Sequence, residues 1–327
     1  VLCVDGGISY EQRKNLQTAF QVLSPYVYEV SGGELVKTRG EKEALEDWFL
    51  SMHLGADTTV VGVGGGATLD LVAFFAATYG RGVPLLLIPS TTLAMADASF
   101  GGKCGVNVNG VKNIVGTIYH PTSILVNVEL LLSLPRHRMA SGLVEVAKHA
   151  LLDSLAFVHD LLSSWEDCCN GNLECLEWLI SKSICVKAKF CTQLKEDRHF
   201  LNLGHTVGHA LEKLEGPTLA HGTAVAIGLL VEGIVGQRRG IVSQEVVDII
   251  TEVVKLVVPN PPLTRIWGLE AWKSALQHDK KKESGKPHVV WLHAIGDPHT
   301  VNGIGRIPLD ESEVEYAYDL LKSFAVC

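Results

Sequence analysis

Glu145, His205 and His221 stand in three segments, LVEVAKHA, LNLGHTVGHALE and LAHGTAVAIG, each on or beside a stretch of helical apolar periodicity. One carboxylate with two imidazoles is the ligand set of a catalytic zinc site, held by three side chains with a position left open for substrate. An ion held in this way acidifies bound hydroxyl groups and polarises a carbonyl. The same segments hold alternatives. Glu145 and Lys148 lie three apart on one helix face, a spacing that also suits an exposed ion pair. His205 and His209 lie four apart, so one face would present both as an HxxxH metal pair.

A second constellation lies upstream. Val60-Val61-Gly62-Val63 is a buried β-type run that passes into Gly64, Gly65 and Gly66 and then into the helix-like LDLVAFFAATY. Glycines at such a junction let the backbone approach a pyrophosphate, whose charge the helix N-terminus favours. A tight turn without a ligand uses the same residues. The pattern is GGGxxxD, ending at Asp70, rather than the GxGxxG of ordinary dinucleotide-binding turns. Arg81, Lys103, Lys112, Lys148, Lys187, Arg198 and Lys280 are scattered along the chain, several in short polar words between apolar segments. A substrate bearing both phosphate and carboxylate needs such cations to converge, and Arg grips either anion bidentately. Lys103 and the Lys112-Asn113 pair read as residues of Gly- and Asn-rich loops.

The elements that must position these residues fall into two halves. Up to about residue 125 strands and helices alternate: Val1–Asp5, Tyr26–Val30, Thr59–Val63 and Pro84–Ile88 read as strands, and Tyr10–Leu23, Glu41–Leu54 and Leu69–Tyr79 as helices. Such alternation predicts a parallel sheet flanked by helices. From about Glu129 helical periodicity takes over, in Gly142–Leu152, Ala156–Trp165, Leu173–Leu194, Thr206–Leu214, Gly222–Gly236 and Ser243–Leu256. The expected architecture is an α/β, Rossmann-like nucleotide-binding domain over 1–128 and a mostly α-helical metal- and substrate-binding domain over 129–327. The active site is expected in the cleft between them.

With 327 residues, 47% hydrophobic and 20% charged, the chain has the composition of a globular enzyme. A formal net charge of −8 excludes an extended nucleic-acid partner, which needs a basic field. No apolar run reaches membrane-span length, and the longest, Ala224 to Val235, is broken by Gly228, Glu232 and Gly233. Eight cysteines form no CxxC pair and no segment of these residues reads as a signal peptide, so a cytoplasmic enzyme with reduced thiols is expected. The chain opens directly on a strand without an initiator Met, from which earlier N-terminal strands are expected.

Taken together, GVGGGATLDL, DASFGGKCGVN with VKNIVG, and the three metal-bearing segments resemble the 3-dehydroquinate synthase family of sugar phosphate cyclases. The match runs over nearly the whole chain and is densest from Val60 to Gly222. The resemblance implies Glu145, His205 and His221 as ligands of zinc or cobalt, with His209 facing substrate phosphate. It places NAD against Glu34 and Lys37 of a GExxK word, Gly64, Gly65, Gly66, Asp70, Ser90, Thr91, Asp97 and Lys112. Lys103, Asn113, His209 and Lys280 would surround the phosphate, joined by Arg81 from a neighbouring subunit of a homodimer. Arg198 and Asn202 would hold the carboxylate, while Asp97, Lys148 and Lys187 would contact ring hydroxyls. The implied reaction cyclises a seven-carbon phosphorylated keto acid: transient oxidation at C5, β-elimination of phosphate, return of the hydride, ring opening and aldol closure.

The chain departs from the family pattern at Leu69, Met95, Val111, Asn127 and Arg138 and is about three residues shorter between Lys187 and Arg198. Leu69 is expected to add bulk beside the glycine turn, and Arg138 to reverse a charge where a ribose is held. Three other readings are weighed: another sugar phosphate cyclase, a metal-dependent polyol or glycerol dehydrogenase sharing GGGxxxD, and a non-catalytic NAD-binding protein. Retention of His209 argues against valiolone-type cyclases. The Lys103, Lys112-Asn113 and Lys148 set is foreign to the dehydrogenases, and the intact ligand set speaks against a pseudoenzyme.

Overall fold

The computed structural model describes residues 1–192, 197–258, 263, 267–277 and 286–324. Its contacts divide the chain into one unit of residues 1–139 and 171–184 and another of residues 140–170 and 185–327.

The first unit holds β1 (Leu2–Asp5), α1 (Tyr10–Phe20), β2 (Val27–Val30), α2 (Arg39–Ser51), β3 (Val60–Gly64), α3 (Gly66–Thr78), β4 (Leu85–Pro89), β5 (Lys103–Val108), β6 (Val111–Ile118) and β7 (Ser123–Ile124). Five strands pair in parallel in the order β2-β1-β3-β4-β7. Every residue of β3 is buried, as a strand covered on both faces requires, and its apolar run is continuous for that reason. Leu69, Val72, Phe75 and Ala76 of α3 pack with Leu45 and Phe49 of α2 and with Leu85 and Leu87 of β4. The order reverses between β1 and β3. In open parallel sheets a ligand binds at such a switch point, beyond the carboxyl ends of the strands.

The expected loops around Lys103 and Lys112-Asn113 are instead an antiparallel hairpin, β5 with β6. Its turn is Asn109-Gly110, both left-handed at φ 50° and 75°, the conformation a two-residue hairpin turn demands. The Asn and Gly content that reads as loop is thus the signature of the turn itself.

The helices of the second half are α4 (Arg136–Asp153), α5 (Leu155–Cys169), α6 (Leu173–Thr192), α7 (His205–Glu215), α8 (His221–Arg238), α9 (Gln244–Val257), α10 (Leu269–Gln277) and α11 (Glu311–Lys322). Of these, α4 and α6 contribute residues to both units. Apolar periodicity places α4 to α9 within a few residues of their ends, apart from α4, which begins six residues earlier than expected. It misses β8 (His288–Val289), β9 (Leu292–Ala294), β10 (Asp297–Pro298) and β11 (Ile307–Pro308), which are too short to carry a period. α8 is buried along almost its whole length, which explains its nearly unbroken apolar sequence. Among the described residues no helix is long and apolar enough to cross a membrane.

Candidate metal centre and nucleotide turn

Glu145 projects from α4 with no exposed surface, while His205 and His221 are the first residues of α7 and α8. Glu145 Oε1 lies 3.5 Å from His205 Nε2 and 3.3 Å from His221 Nε2. One ligand atom from each residue falls within 4.8 Å of the other two, so a single cation can be reached by all three. The far ring nitrogens are held from behind: His205 Nδ1 lies 3.0 Å from the Leu203 carbonyl oxygen and His221 Nδ1 3.3 Å from Glu212 Oε2. With Nδ1–H donating to those oxygens, both Nε2 atoms face Glu145, the arrangement typical of metal-binding histidines. The donor set and its outer support fit a catalytic divalent ion.

The two imidazoles are electrostatically unlike. Burial holds His205 well below the ordinary histidine range, with the positive charge of Lys148 adding to the effect against the pull of Glu145. Burial also opposes protonation of His221, but hydrogen bonds to Glu145 and Glu212 outweigh it and push this ring up to about 10. Lys148 pairs with Glu145 Oε2, and both side chains are buried, at 1% and 0% exposure, so the exposed ion pair is excluded. His209, the other half of the HxxxH alternative, is exposed on α7 with its ring centroid 5.2 Å from that of His205, but the three-residue ligand group that includes His205 is completed by Glu145 and His221.

Glu212 is the support sequence reasoning overlooked, although it lies seven residues from His205 on the same helix face. Glu212→Leu, which removes the acceptor, is expected to let the His221 ring turn and to weaken metal binding by roughly 10- to 100-fold, the usual cost of losing an outer-sphere partner. Chelator competition measures it; unchanged affinity would show that Glu212 orients nothing.

Lys187 on α6 is buried, and Arg198 and Asn202 occupy the 3₁₀ turn Asp197–Asn202, where Asn202 Nδ2 donates to the His199 carbonyl at 2.8 Å. Lys280 lies outside the described residues.

In the first unit the glycine turn sits at the carboxyl end of β3, beside the switch point. Asp5, at the end of β1, braces it: its carboxylate accepts from Thr68 Oγ1 at 2.7 Å, Gly7 N at 2.8 Å and Gly65 N at 3.4 Å. A Cβ at Gly64 would come within 2.8 Å of both Asp5 Cβ and Thr68 Cβ, so this glycine is demanded by close approach. α3 begins at Gly66 behind Gly65, which caps it with no side chain, leaving the first-turn N–H groups to meet an anion. These features fit a dinucleotide pyrophosphate. Lys37, buried, pairs with Asp70 of α3. Glu34 Oε1 accepts from Asn107 Nδ2 at 2.8 Å, and Asn107 Oδ1 accepts from Asn113 N at 2.8 Å, tying the GExxK turn to the hairpin. Ser90 is buried and Thr91 half-buried just past β4, Asp97 is half-buried in a π-helical turn (Ala94–Ala98), and Lys103, Lys112 and Asn113 are exposed on the hairpin. Arg81 is exposed and left-handed at φ 68°, flanked by Gly80 and Gly82 at positive φ.

The departures from the family pattern look different in the structure. Leu69 does not crowd the turn with its side chain: it is 2% exposed and belongs to the core with Val72 and Leu85. Met95 is likewise fully buried, and Asn127 caps a 3₁₀ turn by accepting from Glu129 N at 3.0 Å. Arg138 is exposed on α4. Besides Glu212, sequence reasoning missed Asp5 and Asn107. Only Asp5 left a signal there, an acid ending a strand ahead of Gly6-Gly7.

Comparison with known proteins covers both halves. Residues 27–141 match the family described as 3-dehydroquinate synthase N-terminal, and residues 142–282 the one described as 3-dehydroquinate synthase C-terminal. The 3-dehydroquinate synthase of Chlamydia abortus is 31% identical over 345 residues, covering 96% of this chain and 90% of that protein. Among solved structures, 2-deoxy-scyllo-inosose synthase complexed with carbaglucose-6-phosphate, NAD+ and Co2+ superposes with a TM-score of 0.86 at 23% identity, covering 97% of this chain and 89% of that one. The 2-epi-5-epi-valiolone synthase of Streptomyces hygroscopicus subsp. jinggangensis, with NAD+ and Zn2+ bound, gives 0.84 at 22% identity, covering 98% and 90%. At such identities these two structures establish a shared fold.

Proposed function

The chain belongs to the 3-dehydroquinate synthase family, and on that premise we propose that it converts 3-deoxy-D-arabino-heptulosonate 7-phosphate into 3-dehydroquinate and phosphate as an NAD- and metal-dependent lyase. The observation that carries this reading is the convergence of Glu145 Oε1 with the Nε2 atoms of His205 and His221. These three side chains hold zinc or cobalt, borderline ions that carboxylate and imidazole both suit. When bound, the ion supplies Lewis acidity toward two neighbouring substrate hydroxyls, and NAD supplies a reversible hydride acceptor.

The protein's own groups do the rest. Lys148, fixed against Glu145, donates toward the ring hydroxyls together with Lys187, and the Asp97 carboxylate accepts from them. His209, Lys103, Asn113 and Lys280 bind the phosphate, and Arg198 with Asn202 the carboxylate. The turn Gly64-Gly65-Gly66, with Ser90 and Thr91, receives the pyrophosphate, while Glu34, Lys37, Asp70, Asp97 and Lys112 serve the remainder of NAD. In this assignment residues 1–128 carry the nucleotide and 129–327 the metal and most of the substrate. All seven cysteines described are free, which fits a reducing cytoplasm.

Arg81 is exposed and left-handed at φ 68°, and the proposed homodimer uses it in the partner's site. Arg81→Ala chains mixed with Glu145→Ala chains are then expected to regain about a quarter of wild-type activity, since half the dimers are hybrids with one complete site each. Absence of rescue despite demonstrated subunit exchange would place Arg81 in its own chain's site.

The proposed function is tested by phosphate release from the seven-carbon substrate, from an aldose 6-phosphate and, by NADH formation, from simple polyols. Release from the first alone, abolished by a chelator, is the expected result. Faster turnover of the aldose phosphate would make the protein a sister cyclase, and polyol oxidation would make it a dehydrogenase.

A further inference from the structure

We propose that Glu232 is a positioning residue for the metal centre: its carboxylate, reaching from α8, clamps the first turn of α7 and so fixes the backbone that carries His205. This rests on the reading of Glu145, His205 and His221 as metal ligands. In the sequence Glu232 is only an acid interrupting an apolar run, GLLVEGIVG. In the structure it is 2% exposed and used twice. Oε2 accepts from Gly204 N at 3.1 Å and Oε1 from Val207 N at 2.8 Å. The two amides bracket His205.

The arrangement follows from the local chain. α7 starts behind Gly204, left-handed at φ 74°, which offers no side chain to cap it. A carboxylate from another helix therefore takes the place of a cap, with two acceptors for two donors and a charge matched to the helix dipole. One turn earlier on α8, a Cβ at Gly228 would overlap the Gly204 carbonyl oxygen, so the glycine lets α8 come near enough for Glu232 to reach. Glu232 is anchored from the other side, where Trp291 Nε1 donates to its backbone carbonyl at 2.8 Å. The ring of His205 is steered by the Leu203 carbonyl, 3.0 Å from Nδ1, and the clamp at residue 204 fixes the backbone next to that carbonyl. A glutamine at 232 would offer one acceptor and turn its NH₂ toward the other amide. The first turn of α7 would then tilt and carry His205 Nε2 away from Glu145.

The test loads wild type, Glu232→Gln and Glu232→Asp with Co2+ and records the visible ligand-field spectrum and the affinity in chelator competition. Glu232→Gln is expected to bind about tenfold more weakly, with shifted bands, and Glu232→Asp, which keeps two acceptors, to recover part of both. A Gln variant with the wild-type spectrum and affinity, whatever its melting temperature, would overturn the proposal by reducing Glu232 to a structural cap. Should that variant not fold, amide exchange in wild type decides: strong protection of Gly204 and Val207 supports the clamp, and rapid exchange at both overturns it. A wild type that takes up no Co2+ overturns the metal reading along with this one.

Discussion

Replacing His205 or His221 by Ala is expected to strip the ion and lower turnover by roughly a thousandfold or more, since the Lewis acid supplies several kcal/mol of charge stabilisation. Both variants should fold. Glu145→Ala should lose the metal as well but differ in stability, because it breaks a pair with Lys148 that is fully buried. Removing one partner of such a pair costs about 3–5 kcal/mol. Elemental analysis and denaturant unfolding of the three variants separate these effects. His221 adds a pH signature. A ring pushed up to about 10 holds a proton at neutral pH, and an ion using the same nitrogen must displace it. Metal uptake at pH 7 should therefore release about one proton per chain, with apparent affinity rising as pH rises toward the His221 value. Unchanged metal content in all three variants would remove these residues from the ligand set.

The second large effect lies in the packing of α8. A Cβ at Gly222 would overlap the Ser141 carbonyl oxygen, and one at Gly228 the Gly204 carbonyl oxygen. Both obstacles are backbone, which cannot rotate aside. Gly222→Ala or Gly228→Ala must then push α8 off α4 or α7, moving His221 or His205 relative to Glu145. The expected loss is about 3 kcal/mol, the upper end for overpacking, together with weakened metal binding. Gly233→Ala is the internal control, because its Cβ would meet only the Ile250 and Val247 side chains, at 3.4 and 3.9 Å. That change should be neutral or stabilising, as Ala outranks Gly in a helix by about 1 kcal/mol. Unfolding midpoints that rank the three alike would mean the helices separate without cost.

Much of this was legible before any coordinates. The apolar run of β3 and the glycines after it locate the strand–helix turn, and period-3.6 segments locate the helices that bear Glu145, His205 and His221. Residue type alone left His205, His209 and His221 competing. What marks His205 and His221 is that Nε2 of each meets Glu145 while the Leu203 carbonyl and Glu212 hold the rings from behind, and no linear spacing encodes a hydrogen bond from behind a ring. Glu232 and Asp5 were opaque for the same reason: each serves backbone amides distant in sequence, at residues 204 and 207 for one and residue 65 for the other. Leu69 misled because a departure beside a binding motif invites a ligand explanation, whereas α3 turns that side chain into the core. The β5–β6 hairpin was hidden behind the composition of its own turn.

The central claim is that this chain borrows a hydride from its substrate and returns it while expelling phosphate. The most direct measurement supplies one equivalent of NAD per chain and a large excess of 3-deoxy-D-arabino-heptulosonate 7-phosphate, following free phosphate and NADH absorbance together. The account predicts many phosphates released per NAD, with no NADH left at the end. Phosphate release that stops at one per NAD with NADH accumulating, or none at all from metal-loaded protein, would contradict it.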